Sequence, residues 1–91
     1  MRYALLVEEA AEDEITEIGN WYQRQQKGLG VDFLIKLGDA LDLIRHRPFS
    51  FPEVEPEIRR VIMKKYPYVI YFAVLGKRIS VLRVRHTSRD S

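Results

Sequence analysis

The sequence predicts an α+β domain in which a helical hairpin packs on one face of a mostly antiparallel, four-stranded sheet. Apolar residues recur at helical spacing between residues 7 and 44, and three segments rich in β-branched and aromatic residues follow residue 57. Helices that precede most of the strands in this way, in the order β-α-α-β-β-β, are typical of the α+β class. We expect one domain spanning residues 1–91, because chains of this length rarely divide into two cores.

The first strand and the first helix are predicted within residues 2–26. Residues 2–7 combine β-branched and aromatic side chains with apolar neighbours, which favours a short strand. The pattern then becomes helical as far as residue 26, because regularly spaced apolar residues form a single stripe: Val7, Ala11, Ile15, Ile18 and Tyr22. Gly28 and Gly30 are expected to end this helix.

A second helix is predicted over residues 31–46. Its apolar stripe consists of Leu34, Leu37, Leu41 and Ile44, and it is widened by Phe33, Ala40 and Leu43. Pro48 prevents the helix from continuing, and the short Gly-Leu-Gly link before the helix implies an antiparallel hairpin. Residues 48–56 contain three prolines and are expected to form a loop.

Three strands are predicted after this loop, over residues 58–65, 68–75 and 79–85. Residues 68–75 are nearly all apolar, which suits a central strand covered on both faces. A hairpin loop that begins at Gly76 leads into the last strand. Alternation along the last strand places Leu82 and Val84 on one face and, on the other, Val81, Arg83 and Arg85.

The charges are distributed unevenly along the chain. Residues 1–57 contain 6 Lys/Arg and 12 Asp/Glu, a net charge of −6, whereas residues 58–91 contain 9 and 1, a net charge of +8. This asymmetry predicts a domain with one cationic face, formed by the strands of the second half. Such a face is either a solvated surface or a site for phosphates or for an acidic partner peptide.

The sequence argues against disulfides, metal sites, secretion and membrane spans. The chain contains no cysteine, so it forms neither disulfides nor thiolate zinc sites. His46 and His86 lie far apart in the sequence, outside any cluster of carboxylates, so we expect neither a metal site nor a cofactor. The N-terminal apolar stretch is too short for a secretory signal, and the longest apolar run, residues 68–75, is too short to span a membrane. We therefore expect a cytoplasmic protein.

The basic residues of the second half include the groups that metal-free RNA cleavage requires. That reaction needs a base, an acid and cations that stabilise the phosphorane, and the sequence offers groups of these types: Glu57, Lys64, Arg83, Arg85 and His86. The alternative is that His86 only forms hydrogen bonds at a strand end. Trp21 and Tyr22 likewise predict either a recognition patch or, more simply, core packing.

Several segments, taken in order, resemble the RelE/ParE superfamily of toxins from type II toxin–antitoxin systems. The helix-turn-helix segments are Ile-Gly-Asn-Trp-Tyr (18–22) and Gly-Leu-Gly-Val-Asp-Phe (28–33). The segment Pro-Phe-Ser-Phe-Pro (48–52), leading to Ile-Arg-Arg (58–60), resembles the loop into the second strand. Residues 67–72 and 79–90 resemble the closing hairpin and its His-x-x-Arg-Asp tail, so the resemblance covers essentially the whole chain.

The resemblance implies a toxin that is neutralised by a cognate antitoxin, with one of two targets. RelE-like members are ribosome-dependent endoribonucleases that cleave mRNA, and the positions carried over for that activity are Arg60, Lys64, Arg83, Arg85 and His86. ParE-like members instead poison DNA gyrase. Because no aromatic residue follows His86 and the helical hairpin is long, as in ParE, we favour gyrase inhibition over mRNA cleavage. A third alternative is a small basic binding module without toxicity.

Overall fold

The computed structural model describes residues 3–89, with Arg89 described by its backbone alone. Two helices and five strands follow one another along the chain: β1 (Ala4–Val7), α1 (Glu9–Gln25), α2 (Leu29–His46), β2 (Glu53–Glu55), β3 (Ile58–Ile62), β4 (Tyr68–Leu75) and β5 (Arg78–His86). Short 3-10 turns lie at Pro48–Ser50 and Thr87–Arg89. The α+β class and the helical hairpin are confirmed. No helix in the described part of the chain is long and apolar enough to cross a membrane.

The sheet has five strands, so the predicted count of four is wrong. Its strand order is β1-β5-β4-β3-β2, with β1 parallel to β5 and the other neighbours antiparallel. The additional strand, β2, lies within the segment predicted to be a loop, between Pro52 and Pro56. Strand β2 pairs with β3 after a turn in which Glu57 lies in the left-handed region (φ 68°). Both prolines flank the three paired residues, so neither removes a donor from within the strand.

The helices bury their apolar sides against one face of the sheet. On α1 the predicted stripe is confirmed, because Ala11 is buried and Ile15, Ile18 and Tyr22 pack against the core. On α2 the buried core residues are Phe33, Leu37, Ala40 and Ile44, which all belong to the predicted stripe and its widening, and Leu41 packs against them. The predicted Leu34 lies outside this buried set, with 47% of its surface exposed.

The link between the helices uses its two glycines differently. Gly28 has a φ of 90°, in the left-handed region, and begins α2. Gly30 was predicted to lie in the link, but α2 begins at Leu29, so Gly30 lies in its first turn, close to α1. A Cβ atom there would stand 2.5 Å from the carbonyl oxygen of Gly19. The Gln23 side chain fastens the link, since its Oε1 accepts hydrogen bonds from the amides of Gly28 (3.2 Å) and Gly30 (3.1 Å).

Strand β5 contains a bulge that the sequence analysis did not anticipate. Tyr71 pairs with Arg83 and Phe72 with Val81, so Leu82 is an additional residue on β5. The residues of the strand that belong to the hydrophobic core are therefore Ile79, Val81 and Val84, and the prediction that Val81 shares a face with the arginines is wrong. The bulge lies before the two arginines, and both Arg83 and Arg85 remain exposed.

Candidate functional site

An open groove of about 800 Å³ lies between α1 and the end of β5. It exists because the two parallel strands differ in length. Strand β1 ends at Val7, opposite Val81, whereas β5 continues to His86 with β4 as its neighbour on one side. The groove is lined by Glu14, Glu17, Ile18, Trp21, Tyr22, Arg24, Tyr68, Val84, Arg85, His86 and Ser88.

Glu14 joins α1 to β5 at one end of the groove. One carboxylate oxygen accepts hydrogen bonds from Arg83 at 2.8 and 3.1 Å, and the other accepts the backbone amide of Val84 at 2.8 Å. Partial burial by itself raises the pKa of Glu14, but the bonds from Arg83 and Val84 outweigh it and keep the pKa below its usual value. The carboxylate is therefore ionised at neutral pH and neutralises Arg83.

The wall of the groove on the core side is aromatic. The Tyr22 ring lies 5.1 Å from Trp21, 4.8 Å from Tyr66 and 6.3 Å from Tyr68. Burial and the neighbouring tyrosines raise the pKa of Tyr22 to about 12, so its hydroxyl stays protonated. Tyr22 thus packs against the core, whereas Trp21 keeps 49% of its surface exposed. Of the aromatic pair singled out in the sequence, Trp21 is the residue accessible to a partner.

His86 stands at the end of β5, facing Tyr68. The two rings meet edge to face at 5.3 Å. The backbone amide of Ser88 donates to His86 Nδ1 at 3.0 Å, and the Ser88 hydroxyl lies 2.8 Å from the same nitrogen. Because Nδ1 accepts a backbone hydrogen bond, the neutral ring carries its proton on Nε2. The neutral ring can therefore act as a hydrogen-bond donor through Nε2.

The sheet brings only some of the residues predicted for a nuclease site together. Arg85 and His86 line the groove. Arg60 and Arg83 both pair with Tyr71, from β3 and β5 respectively, and so lie on the same face of the sheet, one on each side of the central strand.

The other two predicted positions lie in turns. Lys64 is exposed in the turn after β3, because that strand ends at Ile62 and not at residue 65 as predicted. Glu57 occupies the turn between β2 and β3. Neither Lys64 nor Glu57 lines the groove. Within residues 3–89 no group of three His, Cys, Asp or Glu side chains is arranged to hold a metal ion.

Glu14 is the site residue that the sequence analysis missed. Its position contained a signal, because it lies three residues after Ala11 and four before Ile18, within the apolar stripe of α1. A carboxylate in such a stripe approaches the core and requires a partner. That partner, the bulged part of β5, is 70 residues away in the sequence and is not visible from local spacing.

Comparisons with known proteins agree with this fold. A sequence model described as "ParE toxin of type II toxin-antitoxin system, parDE" matches residues 5–91. A search of curated proteins found no match. Among solved structures, a chain of the chromosomal ParDE toxin–antitoxin system from P. aeruginosa shares the fold, with a TM-score of 0.82 at 17% identity over 93% of this chain and 96% of that one. The match along nearly the whole sequence shows that the chain belongs to the ParE toxin family of type II toxin–antitoxin systems, as a toxin with a cognate antitoxin.

Proposed function

We propose that this toxin inhibits growth in the cytoplasm by binding DNA gyrase, without cleaving a substrate itself. The observation that carries the proposal is the ion pair between Arg83 and Glu14, at 2.8 Å. A nuclease needs a cation that can meet the developing phosphorane charge. Arg83 is already neutralised by a carboxylate of its own chain, which weakens its ability to stabilise a second anion.

The positions of the other candidate groups support the same proposal. Lys64 lies in a turn, and the Nδ1 atom of His86 accepts the Ser88 amide. General acid–base catalysis requires the acid, the base and the stabilising cations to meet around one reacting phosphate. Binding to a protein surface has no such requirement, because its energy is spread over many contacts.

A RelE-like endoribonuclease is the second candidate, and one observation favours it. Arg85 and His86 lie next to each other in the groove, and the neutral His86 ring can donate a proton from Nε2. A phosphate held by Arg85 would therefore lie near a potential general acid. Losing such a group typically lowers the rate by roughly 10²- to 10⁴-fold.

The two candidate functions predict different toxicity when the imidazole of His86 is removed. The toxin and its His86→Ala, Arg85→Ala and Arg78→Ala variants would be induced without antitoxin, and growth, mRNA integrity and the DNA damage response scored in parallel. Arg78 is the matched control, because it is an exposed arginine at the other end of β5. Purified toxin would then be added to a gyrase supercoiling assay.

We expect His86→Ala to keep its toxicity, with intact mRNA, an induced DNA damage response and inhibited supercoiling. Loss of toxicity in His86→Ala but not in Arg78→Ala, together with mRNA cleavage by the unmodified toxin, would instead establish the nuclease. Unaffected supercoiling with intact mRNA would exclude both targets.

A further inference from the structure

We propose that the outward side of α2 binds a second copy of this chain, so that the toxin forms a two-fold symmetric dimer through paired helices. The contact consists of Val31, Leu34, Ile35 and Gly38, which we call the α2 face. None of these four residues lines the groove at the end of β5. Dimerisation through the α2 face is therefore independent of whether the toxin acts on gyrase or on mRNA.

The α2 face is more apolar than the exposed side of a helix usually is. Its members from successive turns are three or four residues apart, which places all four on one side of α2. Val31, Leu34 and Ile35 expose 57%, 47% and 55% of their surfaces. A groove of about 270 Å³ between α1 and α2 extends this apolar surface, because Val31 and Leu34 line it together with Ile15. Contiguous exposed apolar surface of this kind is typical of a protein interface.

A second copy fits the α2 face because the centre of the face carries no charge. A two-fold axis brings identical surfaces together, so a charged residue near the axis would meet its own copy. The charged residues of the first turns of α2 are occupied elsewhere, since Asp32 binds Lys65 at 2.6 Å and lies 3.7 Å from Lys36. The polar side chains of α1 that line the adjacent groove are uncharged: Thr16, Asn20 and Gln23. Contact near the axis is therefore apolar and without repulsion.

The shape of the α2 face is complementary to itself. When two copies of α2 run antiparallel about an axis between Leu34 and Ile35, residues at equal distances on either side of that point meet. Val31 and Gly38 are such a pair, so the valine of each copy lies over the glycine of the other. A Cβ atom at Gly38 would meet nothing within 4 Å, which leaves space for the valine. The distance between packed helices depends on the side chains at the contact, and glycine permits a close approach.

The charges beyond the two ends of the α2 face are complementary under the same symmetry. Lys27 precedes α2, Asp42 lies near its C-terminal end, and both are exposed and equally far along the chain from the axis. The antiparallel arrangement brings Lys27 of each copy towards Asp42 of the other, twice in each dimer. Asp39 likewise approaches the N-terminus of the second α2, where the helix dipole favours an anion. Parallel helices would instead bring each aspartate towards its own copy, so these charges select the antiparallel orientation.

Sedimentation of the full-length toxin over a concentration series tests for the dimer. We expect a reversible monomer–dimer equilibrium, and we expect Ile35→Lys to raise its Kd at least roughly tenfold, because the change enters the interface twice. Leu43→Lys is the matched control, since Leu43 is an equally exposed residue of α2 (53%) that lies outside the α2 face. We expect Leu43→Lys to leave the Kd nearly unchanged. Circular dichroism below the Kd, where the monomer predominates, would verify that each variant is folded.

Exchange of the two terminal charges tests the antiparallel pairing. We expect Lys27→Glu to raise the Kd by roughly fivefold, because two exposed ion pairs are lost in each dimer. The double variant Lys27→Glu/Asp42→Lys places opposite charges together again, and we expect its Kd to return close to that of the unmodified toxin.

Three results would overturn the dimer. The first is a toxin that sediments as a monomer at every concentration. The second is an equal effect of Ile35→Lys and Leu43→Lys on the Kd, and the third is a double charge variant no tighter than Lys27→Glu. A monomeric toxin whose binding to the antitoxin or to gyrase is weakened by Ile35→Lys would assign the α2 face to that protein and not to a second copy.

Discussion

Replacing Gly30 by alanine tests the close crossing of α1 and α2. A Cβ atom at this position would lie 2.5 Å from the carbonyl oxygen of Gly19 and 3.0 Å from the Cβ of Gln23. The first distance is about 0.8 Å shorter than the ~3.3 Å of a close carbon–oxygen contact. Because the contact is with backbone, the two helices have to separate. Overpacking of this kind costs about 1–3 kcal/mol, and we expect a net loss of about 2 kcal/mol from Gly30→Ala after a small gain in helix propensity.

Gly38 provides the matched control, because it lies in the same helix and a Cβ atom there would meet nothing within 4 Å. Gly38→Ala should gain up to about 1 kcal/mol from helix propensity alone. The two variants should therefore differ by about 3 kcal/mol, or roughly 12–24 °C in Tm for a domain of this size. Thermal unfolding followed by circular dichroism measures the difference. Equal melting temperatures would refute the close approach of α1 and α2 at this glycine.

Two further predictions concern a carboxylate and a hydroxyl. Asp32 accepts hydrogen bonds from Lys65 and Tyr66, both at 2.6 Å, which lower its pKa from 3.8 to about 2. A lowered pKa stabilises the fold above about pH 4 and loses that effect as the pH falls to 2, so the Tm advantage over Asp32→Asn should disappear across this range. The buried Ser80 hydroxyl has no hydrogen-bond partner among the described residues. Ser80→Ala should thus raise the unfolding free energy by about 1 kcal/mol, and a loss of stability on urea titration would reveal a partner.

Local periodicity was sufficient to predict the elements that bury one continuous stripe. The stripe of α1 from Ala11 to Tyr22 was predicted correctly, and so was the apolar β4 at the centre of the sheet. On α2 the prediction was correct for Leu37, Leu41 and Ile44 and wrong for Leu34, which is exposed, because apolar residues are spread widely around this helix. Leu34 and Leu37 are equally hydrophobic, and the helix crossing at Gly30 determines which of them is buried.

The features that shape the groove depend on contacts between distant parts of the chain. The bulge at Leu82 shifts the alternation of β5 by one residue, and an uninterrupted pattern of apolar and basic residues gives no sign of it. Strand β2 is only three residues long and is exposed throughout, so it has no apolar face to detect. The pairing of Glu14 with Arg83 connects the acidic first half of the chain to its basic second half, and charge counts alone do not reveal it.

The bulge and Glu14 together shape the groove at the end of the basic strand β5. Without the additional residue, the outward amides of β5 would fall at odd positions beyond Val81, and Val84 would direct its amide towards β4. The bulge turns the amide of Val84 outwards at the point where β1 stops, and Glu14 accepts it. The same carboxylate neutralises Arg83, which leaves Arg85 and Arg24 as the cations lining the groove. The groove therefore holds two arginines beside a carboxylate that is already paired with Arg83, at the point where β1 stops covering β5.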